Sequence, residues 1–205
     1  MQNMKKLATQ KEFIPLLFII SAPSGTGKTT LMRILKKKFK DKIEQTISYT
    51  TRSPRLGEKN GVDYYFTDVS SFKKLIVEKK FLEYQIIFGE YYGTTKEEVF
   101  RILEKNKYAF SLIDTQGALN VQKVMENAIL IFLAPPSQKE QLNRLKYRGS
   151  EDTHEIDLRL KKTVIEYKEA QHFTYYVIND NLKDTYEVIK SIVIAEEHKQ
   201  REKNE

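Results

Sequence analysis

The sequence predicts an α/β fold of three layers, in which a mainly parallel central sheet is covered by helices on both faces. Apolar strand-like segments alternate with helical patterns along the chain. A glycine-containing turn directly follows the first of these strands and begins a helix. The 205 residues are 40% hydrophobic and 31% charged, which is enough to bury the core of one compact domain.

Four apolar segments predict strands of the central sheet. Each is rich in β-branched or aromatic residues and is followed by residues that favour a turn. They are residues 16–21, 110–114, 129–134 and 175–178.

Amphipathic patterns predict helices between these strands. After the first strand, Leu31, Ile34, Leu35 and Phe39 share one helical face. Further helical patterns cover residues 69–79, 95–105, 137–168 and about 182–197.

Two polar regions, residues 44–97 and 137–162, interrupt the core pattern. The first contains short strand-like pieces, such as 45–49 and 63–66, before the helical pattern at 69–79. We interpret both regions as inserts on one domain, because no linker separates them from the core. The core then comprises residues 13–43, 98–136 and 163–198.

Composition limits the function classes. The net charge of +7 favours anionic partners, but no lysine run is typical of a nucleic-acid-binding arm, so we expect no nucleic-acid partner. The absence of cysteine excludes disulfides, iron–sulfur clusters and thiolate zinc sites. The apolar run at residues 13–20 is short and contains Pro15, which favours a core strand over a signal peptide. We therefore expect a cytoplasmic protein without a membrane span.

The turn after the first strand matches the phosphate-binding pattern G-x-x-x-x-G-K-[ST], with Ala22 in place of the first glycine. Gly25 and Gly27 allow successive N–H groups to face an anion at a helix N-terminus. Lys28 supplies a positive charge for the β- and γ-phosphates, and Thr29 a hydroxyl for Mg²⁺. This context is typical of P-loop NTPase folds and indicates phosphoryl transfer from ATP. The predicted ATP-binding residues of this loop are Ala22, Pro23, Ser24, Gly25, Thr26, Gly27, Lys28, Thr29 and Thr30.

A second cluster of polar side chains lies in the first insert. Arg52 and Arg55 lie beside Pro54, and arginine is suited to bidentate contact with a phosphate. Together with the loop SAPSGTGKTT, the segments SYTTRSPRLGEKNGVDYYF, FLEY, GEYYGT, IDTQGA and RLKYRG resemble the guanylate kinase family in the family's order. The resemblance covers about residues 16–195 and implies transfer of the γ-phosphoryl group of ATP to GMP. It also implies a GMP-binding insert at 44–97 and a helical lid at 137–162.

The resemblance assigns roles within the insert. Guanine presents N1–H and an N2 amino group as adjacent donors that one carboxylate, Glu83, can accept, whereas adenine has an acceptor at N1. The residues implied to hold the GMP phosphate are Arg52, Arg55, Tyr64 and Tyr92, and those implied around guanine are Ser48, Glu83, Thr94 and Asp114.

In the lid, the resemblance implies that Arg148 and Arg159 reach the ATP phosphates and act with Lys28 in catalysis. The alternative is an ion-pair network with neighbouring carboxylates, and this alternative has most weight for Arg144. Asn179 is implied near the adenine of ATP. The carboxylates of the alternative network are Glu151, Asp152, Glu155 and Asp157.

The chain departs from the family at Leu112, where an acidic residue usually stands. If that acid organises the water around Mg²⁺, its loss weakens the inner metal shell here. Thr29 and the phosphates can still hold the ion, and substitution by a neighbouring carboxylate is the alternative.

Two other functions remain open at this stage. One is a binding module that keeps the fold without catalysis, and the other is a kinase that acts on a ribosyl phosphate. The first would not need an intact phosphate loop, and the second would not need Ser48, Glu83 and Thr94. We expect dGMP as a second acceptor, and the sequence leaves the choice between monomer and homodimer open.

Overall fold

The computed structural model describes residues 15–147 and 153–199, apart from the side chains of 145–147 and 153–160. The predicted α/β class is confirmed. The described strands are β1 Leu17–Ser21, β2 Ile43–Gln45, β3 Tyr49–Thr50, β4 Tyr65–Phe66, β5 Phe81–Ile87, β6 Glu90–Thr95, β7 Tyr108–Ser111, β8 Ile129–Ala134 and β9 Tyr175–Ile178. The described α-helices are α1 Lys28–Phe39, α2 Val69–Val77, α3 Lys96–Leu103, α4 Thr115–Val124, α5 Gln138–Tyr147, α6 Thr153–Glu169 and α7 Leu182–His198.

The strands form two sheets. The central sheet has the order β2-β7-β1-β8-β9, and every neighbouring pair in it is parallel. The second sheet has the order β4-β3-β6-β5 and mixes parallel and antiparallel pairs. Its strands all lie within the predicted insert, whereas β2 extends two residues into that range while it still belongs to the central sheet.

Strand β1 lies at the centre of the core, and all of its residues are buried. Phe18 and Ile20 pack with α1 and α7 on one face of the sheet. Leu17 and Ile19 pack with α3 and α4 on the other face. Because successive side chains of a strand point to opposite faces, a continuous apolar run is what a sheet covered on both sides requires.

The observed strand boundaries agree best with the predicted ones where the apolar pattern is strongest. Strands β8 and β9 match the predicted segments 129–134 and 175–178 to the residue. The strand predicted at 110–114 begins earlier and ends at Ser111. The piece predicted at 45–49 is wrong as one strand, because residues 46–48 connect the two sheets between the end of β2 and the start of β3.

The hairpin formed by β5 and β6 has no counterpart among the predicted strands. Its turn is formed by Phe88 and Gly89, with φ angles of 51° and 84°. Two positive φ values favour Asn-Gly or Gly-Gly in a hairpin turn, so a phenylalanine conceals the usual sequence signal. The hairpin contains Glu83, Tyr92 and Thr94, three of the residues predicted for the GMP site.

The second polar region, predicted helical, contains α5 and the first part of α6. In the described parts of the chain, every helix is too short or too polar to span a bilayer.

Candidate active site

The phosphate loop connects β1 to α1 at the carboxyl edge of the central sheet. Gly25 and Gly27 have φ angles of 84° and 99°, in the left-handed region that favours glycine. Gly27 caps the N-terminus of α1 without a side-chain hydrogen bond, so backbone N–H groups of the first turn are left for an anion. Ala22 is outside the positive-φ region, which explains why alanine is tolerated there.

The side chain of Lys28 folds back over this loop. Its Nζ donates a hydrogen bond of 2.6 Å to the carbonyl of Ala22. Thr26 closes the turn by donating from its hydroxyl to the carbonyl of Pro23 at 2.8 Å. Thr29 follows Lys28 and is exposed at the start of α1. The ammonium and the hydroxyl thus both belong to residues of the first turn of α1, at the end of the helix that favours an anion.

Asn179, which directly follows β9, holds the phosphate loop in place through side-chain hydrogen bonds. It is 2% exposed, and its Nδ2 donates to the carbonyl of Thr26 at 2.6 Å. Thr185 donates to Oδ1 of Asn179 at 2.9 Å, so both ends of the amide are engaged. A Cβ on Gly27 would lie 2.9 Å from this Nδ2, which is a second reason for glycine there. The contact of Asn179 with adenine stays a prediction.

The side chains predicted around guanine lie together. The hydroxyls of Ser48 and Thr94 share a hydrogen bond of 2.9 Å. The backbone N–H of Thr94 donates to Oε1 of Glu83 at 3.0 Å, across the β5–β6 pair. A Cβ on Gly117 would lie 2.8 Å from Oε2 of Glu83 and 3.0 Å from Oδ1 of Asp114. Side chains that are up to 66 residues apart in sequence therefore form one cluster.

Glu83 is a buried acid. It is 6% exposed, and burial raises its pKa to about 7, with the charge of Asp114 acting in the same direction. Hydrogen bonds from Thr94 act against that rise by favouring the ionised form. A carboxylate that is poorly solvated is suited to accept paired N–H donors from a flat base.

The residues predicted for the GMP phosphate are arranged around Arg52. Its guanidinium carbon lies 5.5 Å from the ring centroid of Tyr64, and the rings of Tyr64 and Tyr92 are 6.0 Å apart. Arg52 pairs with Glu58 at 2.9 Å, and this carboxylate also accepts from the backbone N–H of Arg55. The side chain of Arg55 is exposed. Glu58 thus holds the loop that presents both arginines.

The lid arginines are only partly covered by the structure. Arg148 lies outside the described residues, as does the side chain of Arg159, so their roles stay predictions. Arg144 donates to Glu140 at 2.8 Å and to the carbonyl of Asn179 at 3.3 Å. This supports a structural role for Arg144, with a different carboxylate from those of the predicted network.

The residues that could hold Mg²⁺ are few. The described residues include no group of three or more His, Asp or Glu side chains arranged for a metal ion. Leu112 packs against the core instead of providing a carboxylate. Mg²⁺ normally keeps several waters and binds substrate phosphates with one or two protein ligands. Thr29 at the helix start fits this kind of site.

Sequence reasoning missed several residues of the site. Lys162 pairs with Asp114 at 3.0 Å, and Thr115 hydrogen-bonds to Glu169. Gln141 links the carbonyl of Ser24 to α6. The IDTQGA motif indicated the position of Gly117, but nothing in the sequence marks Lys162 or Gln141.

Comparison with known proteins agrees with the family that the sequence motifs resemble. The guanylate kinase family model matches residues 15–196. A guanylate kinase of Chlamydia trachomatis serovar D is 48% identical over 185 residues, which cover 90% of each chain. One from Protochlamydia amoebophila is 48% identical over 183 residues, covering 89% of this chain and 92% of the relative.

A solved structure leads to the same family. The crystal structure of guanylate kinase from Anaplasma phagocytophilum superposes on this chain with a TM-score of 0.75 at 27% sequence identity. The match covers 94% of this chain and 91% of the Anaplasma chain. Family model, sequence relatives and structure agree over nearly the full length. The chain belongs to the guanylate kinase family.

Proposed function

We propose that this protein transfers the γ-phosphoryl group of ATP to GMP, giving ADP and GDP. The observation that carries the proposal is the cluster of Ser48, Glu83, Thr94 and Asp114, which faces the same edge of the central sheet as an intact phosphate loop. A link between the ends of β1 and β7 keeps the two parts together, because Ser21 donates to the carbonyl of Ile113 at 2.8 Å.

The chemistry of the cluster favours guanine. Glu83 can accept N1–H and one N2–H of guanine, while the hydroxyls of Ser48 and Thr94 can donate to O6. Adenine would place a lone pair against the Glu83 carboxylate, which leaves two buried acceptors facing each other. AMP is therefore expected to be a poor acceptor.

Positioning and electrostatics carry out the transfer. The P–O bond between the γ-phosphorus and the β–γ bridging oxygen breaks while a GMP phosphate oxygen bonds to the γ-phosphorus, so no covalent enzyme intermediate is needed. Lys28 and the N–H groups of the loop stabilise the charge on the phosphates. Arg52, Arg55, Tyr64 and Tyr92 orient the acceptor phosphate.

Mg²⁺ belongs to the proposal as a cofactor. Thr29 would hold it through its hydroxyl, and the ion would neutralise charge on the β- and γ-phosphates. dGMP is a further proposed acceptor, since the cluster addresses the base and not the ribose.

An ADP-release assay with GMP, dGMP, AMP, UMP and a ribosyl phosphate tests the proposal. We expect ADP release with GMP and dGMP, and little with the other three. Lys28→Met is expected to lower kcat by about 10² or more, because the ammonium that stabilises the negative charge of the migrating phosphoryl group is lost. Lys36→Met, on the exposed face of α1, is the matched control. Equal rates with all acceptors, or a Lys28→Met protein with normal GDP formation, would contradict the proposal.

A further inference from the structure

Lys162 joins helix α6 to the guanine cluster. Its Nζ lies 3.0 Å from Oδ2 of Asp114, and the two side chains are 29% and 13% exposed. The residue lies three positions after Arg159 on the same helix. The pair is therefore a partly buried contact between the segment predicted to bind ATP and the segment predicted to bind GMP.

The contact fixes Asp114 from two sides. Oδ1 accepts the backbone N–H of Gly117 at 2.8 Å and so caps α4. Oδ2 accepts from Lys162. With both oxygens engaged, the plane of the carboxylate has little freedom to rotate, although each oxygen keeps a lone pair for a further donor.

The surroundings of this pair are rich in acids. Glu83 lies beside Asp114 across Gly117, and Glu166 and Glu169 lie on α6 near Lys162. Burial raises the pKa of Glu166, whereas the positive charges of Lys28 and Lys162 oppose that rise. Without the ammonium of Lys162, like charges would face Asp114 from neighbouring elements and displace its side chain.

Guanine has one more N–H donor than Glu83 can accept, and Asp114 can accept it. Glu83 can take N1–H and one hydrogen of the 2-amino group, which leaves the second amino hydrogen without an acceptor. Asp114 is the carboxylate beside Glu83. A buried amino hydrogen without a partner would weaken binding, so an oriented acceptor contributes to affinity.

We propose that Lys162 is a positioning residue for the acceptor substrate: its ammonium holds the Asp114 carboxylate where it receives the second hydrogen of the guanine 2-amino group. The proposal rests on GMP as the acceptor. It assigns Lys162 to base selection although the residue is on the helix that leads from the predicted ATP-binding arginines.

Steady-state kinetics with GMP and with IMP test this role, because IMP lacks the 2-amino group. For Lys162→Met we expect kcat/KM for GMP to fall about tenfold because KM for GMP rises. The kcat/KM for IMP and the KM for ATP should change little. The GMP/IMP preference then falls about tenfold. Lys162→Arg restores most of the preference, and Lys162→Gln is a second neutral variant in case the methionine variant folds poorly.

Lys161→Met is the matched control, since Lys161 is an exposed neighbour on the same helix. A GMP/IMP preference in Lys162→Met and Lys162→Gln equal to that of Lys161→Met would overturn the inference. An equal loss of kcat/KM with GMP and with IMP would also overturn the inference, because such a loss would show a general structural role for Lys162. Failure of the unaltered protein to phosphorylate GMP would instead remove the proposed function, and this inference with it.

Discussion

At the residue scale, the proposed role of Glu83 makes base selection depend on pH. Its pKa of about 7 means that the carboxyl is mostly protonated at pH 6 and mostly ionised at pH 8 before GMP binds. Only the ionised form accepts both N1–H and N2–H. If Glu83 accepts the guanine donors as proposed, GMP binding is favourable above neutral pH and costly below it.

We accordingly predict that kcat/KM for GMP falls by about tenfold per pH unit as the pH drops below 7. Glu83→Gln is the control, because the phosphate of GMP titrates in the same range for both proteins. The steeper acid limb should be present in the unaltered protein and absent from Glu83→Gln. Parallel profiles for the two proteins would show that Glu83 does not accept the guanine donors in its ionised form.

Gly117 provides space for the two carboxylates of the cluster. Gly117→Ala would place a methyl group within 3.0 Å of Glu83 and Asp114, so KM for GMP should rise while KM for ATP is kept. The melting temperature should change little, because the helix preference of alanine over glycine, about 0.5–1 kcal/mol, is offset by displacement of the Asp114 oxygen that caps α4. Lys123→Ala, exposed on the same helix, is the control. An unchanged KM for GMP would show that the carboxylates move aside without cost.

At the element scale, the site is formed where the strands of the central sheet end. The phosphate loop follows β1, Asp114 lies three residues after β7, and Asn179 follows β9. Ligands of open parallel sheets bind at the carboxyl ends of the strands, so this edge is the expected one. Asn179 links two of these ends, from β9 to the loop after β1.

For this link we predict that Asn179→Asp lowers the free energy of unfolding by roughly 1–3 kcal/mol, because a carboxylate would face the carbonyl of Thr26. KM for ATP should rise as the loop loses its brace. Denaturant unfolding and ATP kinetics measure the two effects, with Asp180→Asn, exposed and adjacent, as the control. Native stability in Asn179→Asp would refute the bracing role.

The elements also differ in how far the sequence predicts them. Apolar runs such as β8 are predicted to the residue, since burial on both faces requires such a run. The β5–β6 hairpin is not predicted from the sequence, because its strands carry polar groups of the site and Phe88 replaces the usual turn residue. Likewise, family motifs pointed to Glu83 and Asp114, whereas Lys162 acts through a contact over 48 residues that no local pattern encodes.

At the scale of the whole molecule, two sheets contribute to one site. The central sheet supplies the phosphate loop, and the smaller sheet supplies Glu83 and Thr94. Helix α4 contacts both sheets and so lies between the two groups of side chains. GMP bound as proposed would contact groups from both sheets, and it should therefore stabilise the folded protein as a whole.

This division leads to a prediction for thermal unfolding. A saturating concentration of GMP should raise the melting temperature, as expected for about 2.7 kcal/mol of stabilisation at 100 times Kd, while AMP at the same concentration should raise it little. Differential scanning calorimetry measures the shift. Glu83→Gln should reduce the shift with GMP, and equal shifts with GMP and AMP would contradict selection of guanine by the cluster.

Selection of GMP by the guanine cluster is best measured as the ratio of kcat/KM for GMP to that for AMP, in the unaltered protein and in Glu83→Gln. We predict a strong preference for GMP that falls by about 10–100-fold in Glu83→Gln, because one charged acceptor of paired donors is lost. A ratio near one in the unaltered protein, or an unchanged ratio in Glu83→Gln, would contradict the claim that this cluster selects the acceptor.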